Sequence, residues 1–180
     1  MNYIRIAALG FLMPIAVLSS PMGAAASSSE VIWYRVPETV AVLAIMEQRQ
    51  CDLKIESVQL ALSSGYRPAR AVTIRNAGSK AVTRFSMAWI NQDGGGEYLR
   101  ENLESSPLRP GAVYSDNADL NVDSLPVIPT ELLADIARDR SLPDVQLYMI
   151  VQVTYADGSQ FDATDAYRAL ESKYRGHFSR

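Results

Sequence analysis

Reactive side chains are scarce in this 180-residue chain, which has one cysteine, one histidine and only three lysines. A lone Cys51 excludes an internal disulfide framework, so stability has to come from packing. Cys51 itself reads as a small buried hydrophobe, with a thiol linking two chains as the alternative. A thiolate nucleophile would need a basic neighbour, and His177 lies close to the end of the chain. The same shortage removes structural zinc, which takes four imidazole or thiolate ligands. No Gly-x-Ser-x-Gly elbow accompanies the histidine. Gly94, Gly95 and Gly96 lack the following Lys-Ser/Thr of a phosphate loop. Positive charge is not concentrated either: Lys+Arg is 17 against 20 Asp+Glu, a net charge of −3. Arg67, Arg70 and Arg75 come nearest to a basic patch and read as a solvated edge, so nucleic acid is not an expected partner.

Only one apolar run is long, Ile6–Leu18. It follows Arg5 and precedes Ser19-Ser20-Pro21 and the small residues Gly23-Ala24-Ala25-Ala26, the three-part order of a cleaved export signal. Interrupted by Pro14, the run falls short of the roughly 20 residues a membrane-spanning helix needs. Residues 1–26 are therefore expected to be a signal peptide, with no transmembrane anchor after its removal. The mature chain is expected to be periplasmic or secreted, with residues 27–50 as an extension packed on a single domain over 51–180.

Two-residue alternation dominates that domain. Residues 31–36 are rich in β-branched and aromatic side chains and end at Pro37. Val58, Leu60 and Leu62, then Val72 and Ile74, then Phe85, Met87 and Trp89 share faces at strand spacing. Residues 98–108 suit a short edge strand and an irregular crossing. Residues 112–122 read as extended, with Ala118, Leu120 and Val122 on one face. The odd positions from Val145 to Tyr155 form the longest strand, and Tyr148 and Ile150 on its other side place it mid-sheet. Asp157-Gly158 signals a hairpin. Residues 38–50 fit helix or strand, with a lean to helix from the Glu47–Gln50 end. Short helices are expected over 131–138, capped by Thr130, and over 163–175, capped by Asp162 or Thr164 and ended by Gly176. The fold class is mainly β, an antiparallel sandwich with short added helices, one of them C-terminal.

The stretch Cys51–Asn91 ends one strand in Asn76-Ala77-Gly78-Ser79-Lys80. Together with Arg109-Pro110-Gly111 and the hairpin Tyr155-Ala156-Asp157-Gly158-Ser159, it resembles the immunoglobulin-like domains of uncharacterised secreted bacterial proteins. The resemblance covers somewhat over half of the mature chain and lacks the paired cysteines of antibody domains. It implies a β-sandwich used for adhesion, scaffolding or accessory roles, and it carries no catalytic residues across.

No catalytic, cofactor-binding or metal site is expected, and no cofactor. The nearest approach to a metal site is calcium at Asp116, Asp119, Asn121 and Asp123. Asp119-Leu120-Asn121-Val122-Asp123 matches the first ligand spacings of a calcium loop, but Ser124 and Thr130 stand where Gly and Glu are required. A second acidic trio is Asp157, Asp162 and Asp165. The expected function is non-enzymatic, an interaction or accessory domain holding an envelope or extracellular protein through a sheet edge, an aromatic surface or the acidic segment 116–123. The alternatives are a small-molecule or glycan module stacking ligands on Trp33, Tyr34, Tyr66 or Tyr98, and an enzyme using surface carboxylates such as Glu97, Glu101 and Glu104.

Overall fold

The computed structural model describes residues 31–91, 96–139 and 144–178. Residues 1–26, expected to be a signal peptide, and the glycines at 94 and 95 lie outside the described residues. Two sheets form. The first has the order β1 (Trp33–Arg35), β3 (Leu53–Ser63), β4 (Pro68–Asn76), β7 (Val113–Asp116), all antiparallel. The second has the order β2 (Ala41–Ile45), β8 (Asp144–Tyr155), β5 (Val82–Asn91), β6 (Gly96–Asn102), with β9 (Gln160–Asp162) also on β8. Two helices are also present among the described residues, α1 (Thr130–Asp139) and α2 (Thr164–Phe178). The architecture is thus mainly β, with two sheets and two short helices.

One core cluster draws on both sheets. Leu53, Val72 and Ile74 of the first meet Phe85, Met87, Trp89, Tyr148, Ile150, Val153 and Tyr155 of the second. The Phe85–Met87–Trp89 face is buried as its alternation predicts. A second cluster lies on the other side of β5 and β8, where Ala88, Ile90, Met149 and Val151 pack against Tyr167 of α2. The second sheet is therefore covered on both faces, which is why β8 carries apolar residues on both sides at its centre. α2 crosses close enough to β6 that a Cβ at Gly96 would run into the Tyr167 hydroxyl.

Four local expectations are corrected. Residues 41–45 are a strand, not helix: β2 pairs in parallel with β8, Ala41 opposite Asp144 through Ile45 opposite Tyr148. An open ladder edge supplies hydrogen bonds that weak helix propensity cannot outweigh. The odd positions of β8 do not share one face, because Ser86 pairs with Gln152 and Met87 with Ile150, leaving Val151 as a bulge. Tyr148 and Ile150 before the bulge and Val153 and Tyr155 after it all reach the inter-sheet core. The extended reading of 112–122 fails after Asp116, since Asn117 takes a left-handed conformation (φ 52°) and a 3-10 turn follows over Val122–Ser124. Finally, α2 runs through Gly176 to Phe178; one glycine costs a helix only about 1 kcal/mol. The segment before Cys51 supplies one strand to each sheet.

Candidate functional site

The three arginines that looked like an exposed patch separate in the structure. Arg75 pairs with Glu56 at the surface and donates to Gly111 O at 3.1 Å. Arg70 turns inward, and its side chain is only 12% exposed. β4 directs it between the sheets, where its guanidinium carbon lies 4.4 Å from the centroid of the Trp89 ring. Its Nε donates to Tyr148 Oη at 3.1 Å. Tyr148 donates onward to Gln146 Oε1 (2.6 Å), and Gln146 Nε2 donates to Asp144 Oδ2 (2.8 Å). Trp89 and Tyr148 stack at 5.9 Å. Glu97 on β6 faces Arg70 Nη1 from the solvent side at 3.6 Å and is about half exposed.

A cation stacked on an indole and tied to a buried phenol is costly to desolvate unless its donors are used. Burial raises the Tyr148 pKa, with the Arg70 charge acting against that shift. Among the described residues, the same end of the core holds two buried polar atoms without a hydrogen-bond partner, Trp89 Nε1 and Asn91 Oδ1. Arg70 could not be found by sequence reasoning because a β4 position facing inward carries a charge where alternation calls for an apolar residue. Its inward phase with Val72 and Ile74 was the only signal.

The flank of the molecule is the second feature. β6 ends its sheet and β7 ends the other, and they lie on the same side: burial and then the nearby Glu101 carboxylate of β6 raise the pKa of Tyr114 on β7, and Phe85 meets Tyr114 edge-on at 5.1 Å. The opposite edge of the first sheet is closed, since Arg35 N donates to Pro126 O (2.8 Å) and Ile128 N donates to Arg35 O (3.2 Å). On β6 the residues Gly96, Glu97, Tyr98, Arg100 and Asn102 are exposed. Leu103 N donates to Thr83 O (2.7 Å), so by antiparallel alternation Tyr98, Arg100 and Asn102 turn their main-chain groups away from β5.

An open cleft of about 850 Å³ lies where β8's edge passes from β2 to β9, lined by Gln48, Gln152, Phe161, Asp162, Thr164 and Asp165 among others. Its polar groups largely satisfy one another. Asp162 Oδ1 caps α2 by accepting from Thr164 N (2.8 Å), and Gln152 Nε2 donates to Asp162 Oδ2 (3.1 Å).

The other residues singled out from sequence distribute as follows. Tyr66 and Tyr98 are exposed, and Trp33 and Tyr34 are half-buried. Tyr98 leans on Tyr167 at 5.1 Å, and Tyr66 donates to Asp135 Oδ2 at 3.3 Å. No surface gathers the four aromatics: Trp33 and Tyr34 sit on β1, Tyr66 in the β3–β4 turn and Tyr98 on β6. Glu97 faces Arg70, Glu101 faces Tyr114 and Glu104 pairs with Arg84. Asp116 ends β7, Asp119 and Asn121 follow in the turn, and Asp123 lies in the 3-10 segment. Among the described residues no three of His, Cys, Asp and Glu gather as a metal ion would require. Cys51 is buried in the inter-sheet core, and burial pushes its thiol pKa up to about 11. Among the described residues no helix is long and apolar enough to cross a membrane.

Comparison with protein-family models, with curated proteins and with solved structures finds no match to this chain.

Proposed function

We propose that this chain is an exported, non-catalytic immunoglobulin-like module that holds a protein partner in the cell envelope or outside the cell. The carrying observation is the open flank, where β6 presents outward main-chain groups at Tyr98, Arg100 and Asn102 beside the free edge of β7. Unpaired strand edges are what an extended segment of another protein pairs with, main-chain bonds supplying affinity and alternate side chains selectivity. Exposed Tyr98, with Arg100 5.4 Å from its ring centroid, offers the aromatic-arginine pairing common at interfaces. The strand partition supports the immunoglobulin-like reading. With β3, β4 and β7 as strands A, B and E and β5, β8 and β9 as C, F and G, the sheets divide as immunoglobulin sandwiches do. The apolar leader Ile6–Leu18 supports export.

A photo-crosslinking residue at Tyr98 in the native envelope tests the docking edge, with Arg100→Pro as the comparison. Proline at an outward-facing edge position removes a donor without breaking the ladder. The expected result is a discrete adduct weakened roughly tenfold or more by Arg100→Pro, equivalent to about 1.4 kcal/mol, with the thermal midpoint retained. An adduct indifferent to Arg100→Pro, or none at all, rejects the β6 edge as the docking surface.

A further inference from the structure

We propose that the Arg70 end of the inter-sheet core binds a carboxylate carrying a neighbouring amide N–H, the chemistry of a peptide C-terminus or of an N-acylated amino acid. The site is separate from the outward edge of β6 and stands whether or not that edge docks a partner.

Three hydrogen-bonding needs are left unmet at this end of the core, and each constrains the ligand. Arg70 commits its Nε–H to Tyr148, while the carboxylate facing Nη1 stands 3.6 Å away, beyond good hydrogen-bond length. Its outer N–H groups therefore remain available to an anionic acceptor. Trp89 Nε1 is a donor only, it is buried, and it has no acceptor. Both unmet donors sit in one stack, with the guanidinium 4.4 Å from the indole centroid. A planar carboxylate has two acceptor oxygens and matches an arginine fork. Asn91 Oδ1 has the opposite need, since it is an acceptor lacking a donor.

Asn91 lies two residues beyond Trp89 on the same face of β5, with unbroken register against Gln146 and Tyr148. That places the two positions about 6.7 Å apart along the strand. A bare anion satisfies Arg70 and Trp89 but leaves Asn91 unmet. A carboxylate with an amide N–H on the adjoining carbon can satisfy all three. Glu97, opposite Trp89 in the ladder and half exposed, lies on the solvent side of Arg70 as an internal anion that a ligand carboxylate would displace. Gln146 is already bonded on both sides, so it holds Tyr148 and through it the guanidinium.

The test uses Trp33→Phe, which leaves Trp89 as the only tryptophan, so a single indole N–H resonance reports the site. The purified protein is titrated with acetyl-trialanine, its C-terminal amide, acetyl-alanine and acetate. The expected result is a saturable shift of the indole resonance with both free acids, and none with the amide. Acetate should bind at least tenfold more weakly than the free acids. Glu97→Gln should tighten binding several-fold by removing the competing carboxylate. Arg70→Gln should abolish the response, and Arg100→Pro should leave it unchanged. Tighter binding of trialanine than of acetyl-alanine assigns the unit to a peptide end, and equal binding assigns it to a free N-acyl amino acid. The proposal is overturned by an unmoved indole resonance, by equal response to acid and amide, by acetate binding as well as acetyl-alanine, or by weaker binding in Glu97→Gln. Because Glu97 is half exposed, that variant decides the matter even if Arg70→Gln fails to fold.

Discussion

Asn76 illustrates how one side chain can organise a turn. It is fully buried, yet its Nδ2 donates to Lys80 O (2.8 Å) and Leu108 O (2.9 Å), and its Oδ1 accepts from Gly78 N (3.1 Å). Its main chain adds bonds to Ala112 O and from Gly111 N. The 76–80 turn and the 108–112 stretch thus meet on one residue. Asn76→Ala strands these partners and should cost about 2–4 kcal/mol in urea unfolding. Asn76→Asp should cost more at neutral pH, because a carboxylate oxygen would face two carbonyls. That environment raises the folded pKa of the new carboxyl above its unfolded value of about 4. The penalty should therefore be small below pH 4 and grow as pH rises through the folded value. A cost independent of pH would mean that the side chain turns out to solvent. The asparagine was legible as the end of a strand; its role as a hub was not, because Leu108 and Ala112 are distant in sequence.

Strand elements carry their own lesson in the bulges. Glu56, Thr83 and Val151 are each one residue too many in their ladders. Every bulge shifts the inward phase by one, so a strict two-residue period describes the pieces of β3, β5 and β8 correctly and the whole strands incorrectly. β8 also has a divided edge, with β2 on its first half and β9 on its second. Gln48 fills the gap between them: its Nε2 donates to Ile150 O (2.7 Å) and its Oε1 accepts from Ile150 N (2.7 Å). A side-chain amide here takes the place of one strand residue. Gln48→Ala should lower stability by about 1–3 kcal/mol and speed amide exchange at Ile150 far more than at Tyr148. Equal exchange at both positions would show that the edge does not depend on Gln48.

Across the whole molecule, the end opposite Arg70 is tied by ions. Lys80, from the β4–β5 connection, meets Asp157 Oδ2 at 2.7 Å in the β8–β9 turn and also donates to Ser159 Oγ (2.9 Å). These bonds, the Lys80 contact foremost, hold the Asp157 carboxyl well below the usual carboxylate range. Bonds from Thr164 depress Asp162 in the same direction. For a carboxyl depressed in the folded state, the stabilisation is complete above the unfolded pKa of about 4 and is lost as pH falls toward the folded value. The thermal midpoint should therefore drop between pH 5 and pH 2. Asp157→Asn with Asp162→Asn should start lower at pH 5 and fall less steeply. Parallel pH profiles for the two proteins would remove these carboxyls from the account.

Sequence alone determined the class of fold and most of its strands, because apolar alternation is a local property and burial of an aromatic face such as Phe85–Met87–Trp89 decides its own direction. It also determined the hairpin at Asp157-Gly158, where Gly158 takes φ 81°, and the presence of both helices. Only the tertiary structure decided that residues 41–45 are a strand, since the hydrogen bonds that hold them belong to β8, about a hundred residues later. It alone decided that Arg70 lies against Trp89 instead of in solvent, because the compensation for burying a charge comes from Trp89, Tyr148 and Glu97 of the second sheet, which Arg70 of the first meets only when the two sheets pack. Local propensity is written in neighbouring residues; a buried charge and an edge pairing are settled by whatever the fold brings to them.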